Sequence, residues 1–231
     1  MRRILALLVL LAGFAFAEDK IDLASLPAEK FLALIREPLR ENAWGEFTGS
    51  IQHKSTSRRL KGILRVRITF TPEAMLAQIV LNDTNVYSLE QSHKKGEKVT
   101  LSLERPEVEK EPGLFVFGVE PSDLTFSFIY WELERELPTE NGKSGLCRVM
   151  KLKEPGGKRT ALVWFNVKYG FPEKAAWFAE GNSTTPVRRL ELKGAKRHEN
   201  GLWFVREMKL EGDGWKSMVT FDHVSFNDIG K

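Results

Sequence analysis

The chain has 231 residues, a formal net charge of +4 and a single cysteine, Cys147. One cysteine excludes an intrachain disulfide, and basic residues that alternate with acidic ones along the sequence are not typical of nucleic-acid binding. With 15 Phe and 6 Trp, the chain can build a hydrophobic core without covalent cross-links.

The first 17 residues have the pattern of a secretory signal peptide. Residues 2–3 are arginines, residues 4–14 form an apolar run, and Ala15-Phe16-Ala17 offers small residues for cleavage. The run is shorter than the roughly 20 apolar residues of a transmembrane helix. We predict cleavage after Ala17 and one domain over residues 18–231. No cysteine ends the apolar run to carry a lipid anchor, so we expect a soluble protein, periplasmic if the host has two membranes.

An amphipathic helix is predicted from Pro27 to Glu41, with Ser25 placed to cap it and Pro27 tolerated in its first turn. Acidic and basic residues share the outer side of this helix, which favours packing on a core over contact with a membrane. Its apolar stripe consists of Phe31, Leu32, Leu34, Ile35 and Leu39.

Strands are predicted next at Trp44–His53 and Leu60–Phe70. In the second strand apolar residues alternate with polar and basic ones, so we expect Arg65 and Arg67 to face solvent. The elements predicted after it are strands at Ala74–Leu81 and Asn85–Glu90 around an Asn82–Asp83 turn, and a turn at Lys94–Glu97 that leads to Val99, Leu101 and Leu103.

The middle of the chain is less regular. Leu114–Val119 is predicted as a short strand, and Pro121-Ser122-Asp123 as the cap of a helix. The aromatic run Leu124–Trp131 has no period that distinguishes helix from strand. Loops are predicted at Arg105–Gly113 and Leu137–Ser144.

A long antiparallel meander is predicted for the carboxyl-terminal half. At its centre, Ala161–Phe178 contains two apolar, aromatic runs separated by polar residues, Gly170 and Pro172, which is the composition of a β-hairpin. A meander of this length must curl over one apolar face. Its other strands are predicted at Leu146–Leu152, Val187–Leu192, Leu202–Leu210 and Ser217–Phe226.

The sequence lacks catalytic and metal-binding motifs. Gly142-Lys143-Ser144 ends like a phosphate-binding loop, but Leu137 stands where that motif needs its first glycine. The four histidines have no neighbour at ligand spacing, and no Gly-x-Ser-x-Gly elbow is present. Cys147 lies in a predicted strand, which indicates burial more than nucleophilic chemistry. We therefore expect no enzyme activity, no metal site and no cofactor.

Several segments, in order after the signal peptide and the early helix, resemble the outer-membrane lipoprotein-sorting proteins, the relatives of the periplasmic carrier LolA. The segments are Pro121-Ser122-Asp123-Leu124 before an aromatic run, Gly145-Leu146-Cys147-Arg148-Val149-Met150, Val163-Trp164-Phe165-Asn166, Pro186-Val187-Arg188-Arg189-Leu190 and Gly201-Leu202-Trp203-Phe204-Val205. The resemblance covers most of the mature chain.

The resemblance implies a mainly β fold with a few helices, an incomplete and strongly curved antiparallel β-barrel covered by helices. It implies a periplasmic carrier or chaperone that binds acyl chains of lipoproteins or lipids in an apolar cavity, for transfer towards the outer membrane. No motif identifies the lid-locking arginine of the carrier in this chain. For each residue predicted to line the cavity, a place in a dry core is the alternative. These residues are Leu64, Val66, Ile68, Phe70, Ile79, Leu81, Trp164 and Met208.

The partners implied are an acylated lipoprotein or a lipid, with an inner-membrane transporter as donor, and we expect a monomer that binds no nucleic acid. The alternative function is a periplasmic lipid- or lipoprotein-sensing interaction domain that regulates a membrane partner without transporting cargo. A gene neighbourhood with a lipoprotein-exporting transporter would favour the carrier, and one with a regulatory membrane protein would favour the sensor.

Overall fold

The structure is a computed structural model that describes residues 22–37, 43–104, 113–181, 184–197 and 203–228. The predicted signal peptide, its cleavage site and most of the predicted 105–113 loop lie outside the described residues. The strands are β1 (Ala43–Ser55), β2 (Arg59–Phe70), β3 (Ala74–Leu81), β4 (Asn85–Ser92), β5 (Thr100–Glu104), β6 (Glu132–Asn141), β7 (Leu146–Lys153), β8 (Thr160–Asn166), β9 (Pro172–Phe178), β10 (Arg188–Arg197), β11 (Trp203–Gly212) and β12 (Trp215–Asp228). The helices are α1 (Ala28–Arg36) and α2 (Pro121–Thr125), with 3-10 helices at Leu114–Phe117 and Ser127–Tyr130.

All twelve strands of the described chain form one antiparallel sheet. β1 to β5 make one meander and β6 to β12 another, and the pairing of β1 with β12 joins the two. β5 and β6 are the free edges, so the sheet is open, and it is strongly curved. The edges approach at one end, where the N–H of Gly96 donates to the carbonyl of Tyr130 at 3.4 Å. The predicted fold class is confirmed.

Buried and exposed side chains alternate along β2, and the apolar residues lie on its buried face, as predicted. Leu64, Val66 and Ile68 are buried, whereas Arg65 and Arg67 are exposed. Buried residues of the other strands extend this face into one continuous core inside the curve of the sheet. Each fully buried Leu, Ile or Val side chain contributes about 1.5–3 kcal/mol, so this face is the main source of cohesion.

Helix α1 lies on the core with its apolar stripe, as predicted, and Phe31 and Leu32 have no exposed surface. The predicted capping is wrong. Pro27 precedes the first turn without a side-chain cap, and the hydroxyl of Ser25 donates to the carbonyl of Asp22 at 3.0 Å instead. Burial of the stripe therefore holds this short helix, since its amino-terminal N–H groups gain nothing from a cap.

The carboxyl-terminal end of α1 also differs from the prediction. The helix ends at Arg36, because Glu37 is extended, and residues 38–41 of the predicted helix, with Leu39 of its apolar stripe, lie outside the described residues. Glu37 precedes Pro38, and a residue before proline is disfavoured in the helical conformation. In the part of the chain that is described, no helix combines the length and the apolar character needed to span a membrane.

Two predictions for the middle of the chain are wrong. The segment predicted as a strand at Leu114–Val119 contains the 3-10 helix Leu114–Phe117, which is terminated by Gly118 in the left-handed conformation, with a φ of 71°. The segment predicted as a loop at Leu137–Ser144 begins inside β6, which continues to Asn141. β6 is an exposed edge strand with two register shifts, so it lacks the apolar alternation that would reveal a strand in the sequence.

Candidate functional site

Seven of the eight residues predicted to line a cavity come together on the inner face of the sheet. They belong to β2, β3 and β11 and are part of the same core cluster. We call these seven residues the concave wall: Leu64, Val66, Ile68, Phe70, Ile79, Leu81 and Met208. None of them is more than 5% exposed. Their side chains therefore contact other protein atoms in this conformation.

The inward position predicted for Trp164 is wrong. Val163 and Phe165 belong to the concave core, and Trp164 points to the opposite side, into a small separate cluster with Cys147 and other residues. There its indole N–H donates to the carboxylate of Glu140 at 2.7 Å. Since these three residues of β8 form a continuous apolar run, the sequence contains no alternation that assigns their faces.

Helical segments fill the space over the concave wall. We call α1, α2 and the two 3-10 helices the cover. The ring of Phe31 meets Phe165 edge-on at 5.7 Å, and Phe128 meets Trp177 at 5.2 Å. The backbone N–H of Leu114 donates to the hydroxyl of Tyr87 at 2.7 Å. Phe31 was predicted to pack on the core, but the covering role of Phe128 was not, because the aromatic run that contains it has no period that assigns a structure.

Arg36 ties the end of α1 to the segment that leads into β6. Its guanidinium donates to the carbonyl of Ile129 at 2.8 Å and to that of Trp131 at 2.6 Å. In return, the hydroxyl of Tyr130 donates to the carbonyl of Arg36 at 3.4 Å. Burial lowers the pKa of Arg36 and raises the pKa of Tyr130 to about 12. A buried guanidinium held by backbone carbonyls fixes the position of the helix without a carboxylate partner.

Arg148 on β7 holds the segment just before α1. It donates to both carboxylate oxygens of Glu136, at 2.7 and 2.8 Å, and to the carbonyl of Leu23 at 3.0 Å. Its guanidinium also lies 4.6 Å from the centre of the Phe31 ring. One side chain therefore connects the sheet, the start of the cover and the central aromatic residue of α1.

An ionic cluster anchors α2 to the sheet. The N–H of Glu120 donates to the carboxylate of Asp123 at 2.7 Å, and Arg188 donates to both of these carboxylates. Arg159 bridges Glu120 and Glu154, at 2.9 and 2.7 Å. Burial raises the pKa of Asp123 to about 6, although Arg188 opposes this shift. These groups bind one another, and together they fix the amino-terminal end of α2.

A cavity of about 350 Å³ opens where the cover meets edge strand β5. Leu89 and Trp131, which line it, also belong to the concave core, so the cavity adjoins the core directly. Leu101 and Phe115 form its outer apolar rim and are 44% and 50% exposed. Charged residues line it as well, among them Lys98, Glu154 and Arg159, so the cavity is an opening of mixed polarity whose apolar side borders the packed interior.

The described segments contain no candidate metal site, because no three His, Cys, Asp or Glu side chains in them are arranged to hold an ion. Cys147 is a buried free thiol, and burial, followed by the nearby Glu173 carboxylate, raises its pKa to about 11. At neutral pH this sulfur is protonated and shielded from solvent.

Comparison with known protein families and with curated proteins finds no match. Solved structures do match. A DUF1329 family protein from Desulfovibrio piger superposes with a TM-score of 0.70 at 12% identity, over 89% of this chain and 95% of its own. A putative outer membrane lipoprotein-sorting protein domain from Vibrio parahaemolyticus gives a TM-score of 0.65 at 12% identity, over 89% of this chain and 95% of its own.

A LolA superfamily protein from Nitrosomonas europaea gives a TM-score of 0.53 at 13% identity, over 89% of this chain and 96% of its own. Identity at this level carries no information about side-chain function, but the coverage is nearly complete on both sides. The chain therefore has the fold of the lipoprotein-sorting and LolA superfamily structures.

Proposed function

We propose that this protein is a periplasmic carrier or chaperone that binds the acyl chains of lipoproteins or lipids against the concave wall and transfers them towards the outer membrane. The observation that supports this proposal most is that two different kinds of structure enclose the core. One side of it is the curved sheet, and the other is a set of short helical segments that contribute no strand to the sheet.

Displacement of the cover would leave the sheet intact, because its backbone ladder involves only strands. The cover is held by apolar contacts, by the ionic cluster at α2 and by side-chain hydrogen bonds, notably those of Arg36 and Arg148. An acyl chain that replaces covering side chains regains about 0.8 kcal/mol for each methylene group removed from water. A chain of ordinary length can thus offset the contacts that the cover gives up.

Entry of the acyl chain is assigned in this proposal to the opening beside β5. Its rim residues Leu101 and Phe115 are large, apolar and exposed, and Leu89 behind them belongs to the core. An acyl chain that passes this rim reaches the interior without crossing the hydrogen-bonded ladder of the sheet. The proposal includes a cleaved signal peptide, a monomeric carrier and an inner-membrane transporter as donor of cargo.

The test measures binding of a fluorescent fatty acid to protein that begins at Glu18, together with mass spectrometry of lipids that co-purify. Ile68→Gln places an amide on the concave wall, where Ile68 is 1% exposed. Val149→Gln is the matched control, because Val149 is equally buried but lies in the separate cluster with Trp164. Both variants bury an unpaired amide, which costs about 1–3 kcal/mol of stability.

Both variants are compared at a temperature where circular dichroism shows them folded. We expect Ile68→Gln to weaken fatty-acid binding at least tenfold, the effect of about 1.4 kcal/mol, and Val149→Gln to leave it within about twofold. Failure of the wild type to bind any acyl probe would refute the carrier. Equal loss of binding in both variants would show that binding falls because the protein is destabilised, and not because the concave wall is the binding surface.

A further inference from the structure

The outer face of the sheet carries a group of cations where the β1–β2 and β11–β12 hairpins end. Arg59 on β2 lies opposite Lys54 on β1, and Lys54 lies opposite Lys216 on β12. Two positions further along β2, Lys61 points to the same side. We call these four exposed residues the basic patch. They extend over three neighbouring strands.

The arrangement of the basic patch is unfavourable for the isolated protein. Side chains directly opposite each other on antiparallel strands are about 5 Å apart at their Cβ atoms, and like charges in such pairs repel. Within the described ranges, none of the four cations forms an ion pair with a carboxylate. The nearest acid by register is Glu211, opposite Lys216, and it already accepts a hydrogen bond from Lys209 at 2.6 Å.

Residues 54–67 include six basic residues and no acidic one, but the sequence does not show that Lys216 joins them. Strand pairing brings together cations from two distant regions, 54–61 and 216. They line a shallow depression of about 810 Å³ with Gln52 and Met218 between them. Next to Lys61 on the same face, Ile63 is 57% exposed, which adds an apolar side chain to the border of the patch.

We propose that the basic patch docks the protein on an anionic phospholipid surface, through the phosphates of the lipid headgroups. The cations are spread over neighbouring strands about 4.8 Å apart, which suits a sheet of anions better than a single small ion. Cations beside an exposed apolar side chain are the combination that favours the boundary between headgroups and acyl chains. The inference does not depend on acyl binding inside the sheet.

Electrostatic attraction to an anionic leaflet is additive to a first approximation. Each Lys or Arg near the surface strengthens partitioning by about fivefold, and the effect decays over a Debye length of about 10 Å at moderate salt. Four cations on one face therefore account for at least about a hundredfold in binding at low ionic strength. Added salt should weaken the binding steeply.

The experiment is co-sedimentation of protein that begins at Glu18 with vesicles of phosphatidylglycerol and phosphatidylcholine, and with pure phosphatidylcholine vesicles. The test variant is Lys54→Gln/Arg59→Gln/Lys61→Gln/Lys216→Gln. The control variant loses the same charge at lysines that are each paired with a glutamate. It is Lys143→Gln/Lys151→Gln/Lys158→Gln/Lys174→Gln.

We expect the wild type and the control variant to bind the anionic vesicles and not the neutral ones. The test variant should lose at least about a hundredfold in partitioning while its melting temperature is unchanged or higher, because repulsion is relieved. Equal loss in the control variant, no binding by the wild type, or binding to duplex DNA in place of vesicles would overturn the proposal. Fatty-acid binding should be the same in all three proteins. A result that refutes membrane docking is therefore distinguishable from one that refutes the carrier function.

Discussion

Arg148 and Glu136 form two parallel hydrogen bonds across β7 and β6, at 2.7 and 2.8 Å, and Arg148 reaches beyond them to the carbonyl of Leu23. The side chain of Arg148 is 4% exposed and that of Glu136 30%. The pair therefore lies at the boundary of the core and is only partly screened by water. It connects an edge strand to the cover.

Arg148→Ala should lower the free energy of unfolding by about 2–3 kcal/mol, because it leaves the Glu136 carboxylate and the Leu23 carbonyl without their donor. Urea unfolding measures this change. Lys158→Ala is the control, since Lys158 pairs with Glu180 at an exposed site and should cost less than about 1 kcal/mol. Similar losses in the two variants would show that the Arg148 pair is no more than a surface contact.

Arg36→Met should strengthen fatty-acid binding by several-fold while it lowers the melting temperature. Loss of the bonds to Ile129 and Trp131 frees α1 from the second 3-10 helix and from the residue just before β6, which favours displacement of α1, and a larger binding-competent population raises the apparent affinity. Fluorescence titration and thermal unfolding measure the two effects. Arg65→Met, an exposed substitution on the outer face, should change neither. Weaker binding by Arg36→Met would mean that the closed cover forms part of the site.

The double variant Arg65→Gln/Arg67→Gln should change the free energy of unfolding by less than about 1 kcal/mol. The two side chains are 48% and 57% exposed, and their carboxylate partners Asp83 and Glu46 are exposed as well. Chemical denaturation is the measurement. A fall of several kcal/mol would show that the two faces of β2 are assigned the wrong way round.

Cys147 should resist thiol reagents at pH 8 in the folded protein and react at once in urea. Its folded pKa of about 11 lies above the ordinary thiol value of about 8.5. The folded state binds the thiol proton more tightly than the unfolded state does. The stability that this proton contributes is therefore fully present below the ordinary thiol pKa and is lost as pH rises through about 11. Urea unfolding at neutral and alkaline pH should reveal this loss, and Cys147→Ala should remove it. Rapid labelling of the native protein would contradict the burial of the thiol.

The regular strands were predictable because one face of each is apolar and the other polar. In β2 this alternation assigns Val66 inward and Arg67 outward without ambiguity. Where a strand is apolar on both faces, as at Trp164 in β8, periodicity identifies the element but not its orientation. Where a strand is polar on both faces, as at Glu134 in β6, the element itself goes unrecognised.

The concave wall and the apolar stripe of α1 were predictable for the same reason, but the contacts that hold the cover in place were not. Arg36 and Arg148 reach backbone carbonyls on segments distant in the sequence, and no local pattern indicates such contacts. The basic patch has the same origin, since only the register of β1 with β12 brings Lys54 next to Lys216. Interactions set by long-range pairing lie beyond what periodicity can predict.

The pairing of β1 with β12 constrains the order in which this chain folds. Ser55, in the first strand, lies opposite Trp215, in the last, so the two meanders join only after nearly the whole chain has been made. Until then β1 is an unprotected edge, rich in groups that pair with other chains. Such distant contacts close slowly, which prolongs exposure to aggregation. A chain that lacks β12 should therefore leave the first meander as an aggregation-prone fragment and not as a smaller functional domain.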